Sequence, residues 1–177
     1  MRKEYGKVLR SAFERQMKAK VPRFAAFKTK SMYVFPGERI FRWAATDSLH
    51  CFVIMVPSRK DTDEFTVEVG WSTHGRFPEL GMRPSDSPSS DRVEFERDEF
   101  VCRMSELWTR EDLWWQFSDF DPMDPVSQFQ FITASANPVS AEEAREAVLP
   151  KVGDAIEKVL AYGVPYLEEL VASKGDG

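Results

Sequence analysis

Residues 49–57 read LHCFVIMVP and residues 65–73 read FTVEVGWST, and these two stretches decide the fold. In the second stretch, large apolar residues alternate with polar or small ones, which is typical of a strand with one buried face. In the first, residues 52–56 are all apolar and three of the five are β-branched, which predicts an inner strand covered on both faces. Residues 58–64 are too few for a crossover helix, so we predict that the two strands pair antiparallel.

Helical spacing marks both ends of the chain. Apolar residues recur every three or four positions across residues 2–20, which predicts an amphipathic helix with a broad basic face. Near the other end, Ser140 with Glu143 three positions later is the pattern of a capping box that begins a helix. We expect Pro150 to interrupt this helix, and a following helix to stop near Gly163.

Shorter strand patterns lie between these ends, at residues 38–46, 100–105 and 128–134. The chain therefore predicts one α+β domain spanning residues 1–177, with an antiparallel sheet of about five to seven strands and helices from both ends packed on it. Residues 74–99 are rich in Pro, Ser and Asp and form a long polar loop in this prediction. A connection of this length is either a functional flap or a disordered insertion.

Composition narrows the classes of function. The chain has no apolar run approaching the ~18 residues of a membrane span, and its charged start lacks the apolar core of a secretory signal. We therefore predict a cytoplasmic protein with no membrane partner. Cys51 and Cys102 fall inside predicted strands and are expected to be free, buried thiols. Two Cys and two His in separate segments build no zinc framework, so we predict neither a metal nor a cofactor.

Charge is distributed unevenly along the chain. Residues 1–30 carry ten Lys or Arg and two acids, a net charge of +8, while the remainder carries a net charge of −13. The basic segment either pairs with acids in its own fold or meets a polyanion. The second case predicts nucleic-acid binding, with salt-sensitive affinity. The candidate contacts for it are Arg10, Lys18, Lys20, Arg23, Lys28 and Lys30.

An aromatic cluster precedes an acidic turn. Five large aromatic residues fall between positions 108 and 120, and most of them are expected in the core. Consecutive residues of a strand point to opposite faces, so one of Trp114 and Trp115 is expected to face solvent or a partner. The acidic residues that follow lack the spacing of a calcium loop and are typical of turns. The candidate partner-binding residues are Trp108, Trp114, Trp115, Asp119, Asp121 and Asp124.

Catalytic motifs are missing from the sequence. Ser72 and His74 lie two positions apart, but no G-x-S-x-G elbow and no phosphate-binding glycine loop accompany them. We assign no catalytic residue. One enzymatic hypothesis stays open, a hydrolase whose site lies under the loop at residues 74–99. It would use His74 as a base, Arg76 as an anion clamp, and Glu79 and Asp91 as carboxylates.

Two short motifs resemble the bacterial domain of unknown function 4304 family. One is Phe27, Lys28 and Lys30 before the short aromatic strands, and the other is Arg103, Glu106 and Leu107 before the pair Trp114 and Trp115. The resemblance would cover most of the chain, apart from residues 74–99, and implies the fold rather than an activity. The leading hypothesis is a non-enzymatic cytoplasmic binding protein of the immunity or antitoxin type, which masks a partner protein.

Overall fold

An antiparallel sheet forms the framework of the protein in the computed structural model, which describes residues 1–59, 62–80, 97–109, 111–118, 126 and 138–175. Its described strands are β1 (Ala25–Phe27), β2 (Arg39–Ala44), β3 (His50–Pro57), β4 (Glu64–Ser72), β5 (Glu99–Arg103) and β6 (Trp115–Gln116). They lie in the order β1, β2, β3, β4, β5, and β6 extends the β5 side of β4. Among these strands, β1 forms one edge of the sheet and β5 with β6 forms the other.

Helices from both ends of the chain pack on this sheet. They are α1 (Lys3–Lys20) from the N-terminal end, and α2 (Ala141–Lys158), a π-helical turn (Val159–Gly163) and α3 (Val164–Gly175) from the other end. A 3₁₀ turn (Met104–Leu107) directly follows β5. This arrangement confirms the predicted α+β fold with an antiparallel sheet. No helix within the described residues is both long enough and apolar enough to cross a membrane.

The central hairpin has the predicted antiparallel pairing, with Val53 opposite Val69 and Ile54 opposite Glu68. Residues 50–56 of β3 are buried on both faces, as the continuous apolar run predicts. The alternation in β4 predicts one solvent face, and this is wrong, because Thr66 and Glu68 are also buried. The segment after β5 lies against that face, and Thr66 Oγ1 donates a 2.9 Å hydrogen bond to the carbonyl of Leu113.

Each face of the sheet has its own apolar core. The larger core joins the helices to the face that carries Val53, Val69 and Trp71, and the helical spacing of α1 places its apolar residues in this core. The smaller core covers the opposite face, where Phe77 packs on Phe52 with ring centres 5.3 Å apart. Cys51 and Cys102 are free and buried, as predicted. Burial raises the pKa of the Cys51 thiol to about 12, so the thiol stays protonated near neutral pH.

Two predicted helix boundaries are wrong. Pro150 lies inside α2, since the buried residues on both sides of it, Val148 and Val152, pack into the same core. Gly163 does not stop a helix, because a π-helical turn joins α2 to α3 there. A Cβ added at Gly163 would lie 3.3 Å from Val69 Cγ1, so the glycine allows the backbone to approach the sheet closely.

Several predicted segments fall partly or wholly outside the described residues. Of the polar loop at 74–99, the structure describes residues 74–80 and 97–98, and residue 99 begins β5. Residues 81–96, and the predicted strand at 128–134, lie outside the described part of the chain.

Candidate partner-binding site

The segment that follows β5 places its tryptophans in three different environments. The chain leaves the sheet through the 3₁₀ turn, passes Trp108, and returns as β6, which pairs with the start of β4. Trp114 directly precedes β6 and Trp115 is its first residue. Their side chains therefore lie on opposite faces of the sheet, as the sequence predicts. The three indoles therefore have to be considered one at a time.

Trp115 belongs to the helix-side core. Its side chain is buried and stacks on Phe65 with ring centres 5.3 Å apart. Its indole Nε1 donates a 2.7 Å hydrogen bond to Asp154 Oδ2, so its polar atom is also satisfied within the protein. The candidate role of Trp115 in partner binding does not fit this environment, because a partner cannot reach the indole without opening the core.

Trp114 covers a buried arginine on the other face. The guanidinium carbon of Arg103 lies 4.6 Å from the centre of the Trp114 ring, and Arg103 Nη1 lies 2.8 Å from Asp112 Oδ1. The Trp114 Nε1 donates a 3.0 Å hydrogen bond to Asp112 Oδ2. Trp114 is half-buried, and both its ring face and its N–H have partners inside the protein. Its main role is therefore to shield the Arg103 guanidinium from water.

This arginine belongs to an ionic cluster that the sequence does not reveal. Glu68 lies directly opposite Arg103 in the ladder between β4 and β5, and both side chains are buried. Burial raises the pKa of the nearby Glu106 carboxyl, and the positive charge of Arg103 opposes this rise. The alternation of β4 places Glu68 on the predicted solvent face, and the cover provided by the later segment buries its carboxyl group.

Trp108 packs at the edge of the helix-side core, beside a partly exposed tyrosine. It follows the 3₁₀ turn, is half-buried, and stacks on Tyr162 with ring centres 4.8 Å apart and an interplanar angle of 28°. Tyr162 itself is 36% exposed. The ammonium Nζ of Lys158 lies 5.8 Å from the Trp108 ring centre and 5.7 Å from that of Tyr162. We call Trp108, Tyr162 and Lys158 together the aromatic patch.

The π-helical turn helps to place the aromatic patch. Lys158 ends α2 and Tyr162 lies within the turn that follows, four positions later. Gly163 in the same turn approaches Met104, whose Sδ lies 3.4 Å from the position of an added Cβ. The π-helical turn and the 3₁₀ turn therefore pack against each other through Gly163 and Met104. This packing brings Tyr162 next to Trp108, which directly follows the 3₁₀ turn. Isolated π-helical turns occur frequently at functional sites.

The acidic half of the predicted partner site follows β6 in the chain. Asp119, Asp121 and Asp124 lie outside the described residues. Within the described part of the chain, no group of three or more His, Cys, Asp or Glu side chains is arranged to hold a metal ion.

The basic residues of the first 30 positions divide into paired and exposed groups. Arg23 forms an ion pair with Glu168 and lies over the ring of Trp43, and Arg10 is half-buried with its guanidinium next to Gly6 of the same helix. The other candidates for nucleic-acid contact are exposed, and no ion pair joins them to an acid in the described ranges: Lys18, Lys20, Lys28 and Lys30. The segment is therefore less basic at its surface than its sequence indicates.

The hydrolase hypothesis finds little support at the described end of its loop. Ser72 is fully buried, and its Oγ donates a 2.8 Å hydrogen bond to Glu99 Oε1 rather than to a histidine. Arg76 Nη1 lies 3.0 Å from the same carboxylate oxygen and 3.2 Å from Glu79 Oε2. The imidazole of His74 is exposed and makes no hydrogen bond to the described residues. These contacts tie the loop to β5, and Asp91 lies outside the described part.

Comparison with protein-family models, curated proteins and solved structures gives no match to this chain. The resemblance to the domain of unknown function 4304 family therefore remains a prediction based on the short motifs that carry it.

Proposed function

We propose that this chain is a non-enzymatic binding protein that masks a partner protein, as immunity and antitoxin proteins do, and that the aromatic patch contacts the partner. The observation that carries the proposal is the stack of Trp108 on Tyr162 at the edge of the core, where the tyrosine ring is 36% exposed and the indole is half-buried. Trp and Tyr are the residue types most enriched among those that dominate binding energy in protein interfaces.

The packing of the aromatic patch favours this role. Each ring fixes the orientation of the other, and Lys158 lies near both, so little side-chain freedom remains to be lost when a partner docks. The net charge of −5 for the whole chain favours a partner with a basic surface, because complementary charge speeds encounter. The aromatic rings would then provide the buried contact, and the surrounding charges would orient the two proteins.

The test is co-purification of the tagged, full-length protein from its native host, followed by affinity measurement with the recovered partner. We expect a stoichiometric protein partner, and Trp108→Ala and Tyr162→Ala to weaken its binding by about tenfold or more, as truncation of a hot-spot residue does. Met32→Ala is the matched control, because Met32 is a large apolar residue that is 82% exposed elsewhere on the surface. Circular dichroism establishes that each variant is folded.

Two results would contradict the proposal. One is recovery of no stoichiometric partner under these conditions. The other is a partner whose affinity is the same for the wild type and for Trp108→Ala, since its interface then lies away from the aromatic patch.

Nucleic-acid binding is the second candidate, and the exposure of its four candidate lysines, Lys18, Lys20, Lys28 and Lys30, favours it. If all four contacted phosphates, the logarithm of the affinity for duplex DNA would fall with the logarithm of salt concentration with a slope of about −3.6. A mobility-shift assay at low salt with DNA and RNA checks this. Absence of binding to both would exclude the second candidate and leave the first unaffected.

A further inference from the structure

The edge strand β1 borders a groove on the helix side of the sheet. The groove has a volume of about 400 Å³ and lies between the last turns of α1 and the sheet. Two aromatic rings, one acid and one base are among the residues that line it. The full lining is Glu14, Lys18, Pro22, Phe24, Ala25, Ala26 and Phe41. Ala25 and Ala26 are exposed, and β2 is the one strand that pairs with β1 within the described residues. A groove next to an open strand edge is the geometry used for binding extended peptides.

The register of β1 fixes where the side chains of an added strand would point. Ala26 lies opposite Phe41, so both are on the helix face, and a residue added beyond Ala26 would direct its side chain into the groove. Ala25 lies opposite Arg42, so both are on the other face. Because alanine is short, a side chain added beyond Ala25 comes within reach of the Arg42 guanidinium. An added strand therefore meets an apolar floor on one face and a cation on the other.

Charge around this edge selects the partner. Arg42 is half-buried, its guanidinium carbon lies 4.5 Å from the Phe27 ring centre, and it forms no ion pair with any acid in the described ranges. Lys18 lines the groove, Lys20 ends α1, and Lys28 directly follows β1; all three are exposed. Glu14 is the one acid among the residues that line the groove. The positive charges outnumber the negative, which favours an acidic segment.

We propose that β1 and its groove bind an extended acidic segment of another protein as an added strand. An apolar side chain of that segment enters the groove beside Ala26, and a carboxylate on the opposite face meets Arg42. Backbone hydrogen bonds to the outer edge of β1 hold the segment, and alternation of apolar and acidic residues gives specificity. This surface is at the opposite edge of the sheet from β5 and the aromatic patch, so it does not depend on the function proposed above.

The test uses a short synthetic peptide that alternates Glu and Leu, with the full-length protein, in calorimetry at low salt. Since β1 is only three residues long, we expect micromolar affinity. Ala26→Phe should weaken binding by about tenfold because the new ring fills the groove, and Arg42→Gln by about threefold to tenfold because one charge pair is lost. Lys3→Gln is the matched control, because Lys3 is an exposed lysine at the far end of α1.

Three outcomes would overturn the proposal. The first is equal binding of a peptide that alternates Lys and Leu, since the charge selection would then be wrong. The second is unchanged affinity in Ala26→Phe, whose fold is checked by circular dichroism. Lys18→Glu, which reverses a charge on the other wall of the groove, should also weaken binding and so provides an independent check. The third is self-association of the protein that Ala26→Phe abolishes, since the occupant of this edge would then be a second copy of the chain.

Discussion

The guanidinium Nε of Arg2 lies 2.6 Å from Oδ2 of Asp63, and the backbone N–H of Arg2 donates a 2.7 Å hydrogen bond to Oδ1 of the same carboxylate. The Asp63 side chain is fully buried, and its backbone carbonyl accepts a 2.8 Å hydrogen bond from Phe117 N–H. Asp63, the residue immediately before β4, thus joins the start of α1 to the end of β6. Residues 61 positions apart in the chain meet at this point.

Loss of this carboxylate should destabilise the protein strongly. Asp63→Ala leaves the Arg2 guanidinium without its buried counterion, and removal of one partner from a buried pair costs about 3 kcal/mol or more of unfolding free energy. Glu4→Ala is the matched control, since Glu4 Oε2 lies 3.9 Å from Lys7 Nζ in a pair that solvent reaches, and its loss should cost less than about 1 kcal/mol. Urea denaturation measures both variants, and equal losses would show that the buried pair contributes no more than the exposed one.

Two glycines should respond in opposite directions to substitution by alanine. A Cβ at Gly70 would lie 2.4 Å from the carbonyl oxygen of Phe100, so Gly70→Ala should force β4 and β5 apart and cost about 3 kcal/mol. A Cβ at Gly153, inside α2, meets nothing within 4 Å, so Gly153→Ala should stabilise the protein by about 1 kcal/mol. Thermal unfolding measures both. A neutral Gly70→Ala would mean that the two strands separate at little cost.

Acid should weaken the fold through His50. Burial, together with the charge of Arg42, lowers the pKa of the His50 imidazole in the folded protein. The unfolded chain then binds a proton near its ordinary pKa of about 6.5 while the folded protein does not, so stability falls as the pH drops below that value. We expect wild type to lose more unfolding free energy between neutral and mildly acidic pH than His50→Gln does. Parallel pH profiles for the two proteins would contradict this.

The first turn of α2 depends on its capping box. Ser140 Oγ accepts a 3.2 Å hydrogen bond from Glu143 N–H, and Ser140 N–H donates one of 2.8 Å to the Glu143 carboxylate. Ser140→Ala removes the cap and should cost about 1 kcal/mol. Ser11→Ala, in the exposed interior of α1, should be neutral or slightly stabilising, because alanine is the better helix former there. A loss of equal size in both variants would show that the cap contributes nothing specific.

The capping box also predicts a pH response. The hydrogen bonds from Ser140 lower the pKa of the exposed Glu143 carboxyl in the folded protein. The stability that this carboxylate provides is present above its unfolded pKa of about 4.3 and is lost as the pH falls toward the lower folded value. The difference in unfolding free energy between wild type and Glu143→Gln should therefore shrink below pH of about 4. A constant difference across this range would contradict the prediction.

Local sequence correctly predicts the helices and strands that are specified by a pattern within one short stretch of the chain. The run at residues 52–56 indicates a strand buried on both faces, the spacing in α1 indicates its buried stripe, and Ser140 with Glu143 indicates the start of α2. Local sequence fails at Pro150 and Gly163. Packing of α2 against the core keeps the helix going through Pro150, and close approach to the sheet makes Gly163 part of a π-helical turn.

For the candidate site, local sequence is enough to predict that Trp114 and Trp115 lie on opposite faces, since alternation in a strand is a property of the backbone. Three other features come from long-range packing: Trp115 lies in the core, Trp114 covers Arg103, and Trp108 stacks on a tyrosine more than 50 positions later. The physical reason is that burial and ring contacts depend on which distant segments fold over a given face. No local pattern of apolar and polar residues carries that information.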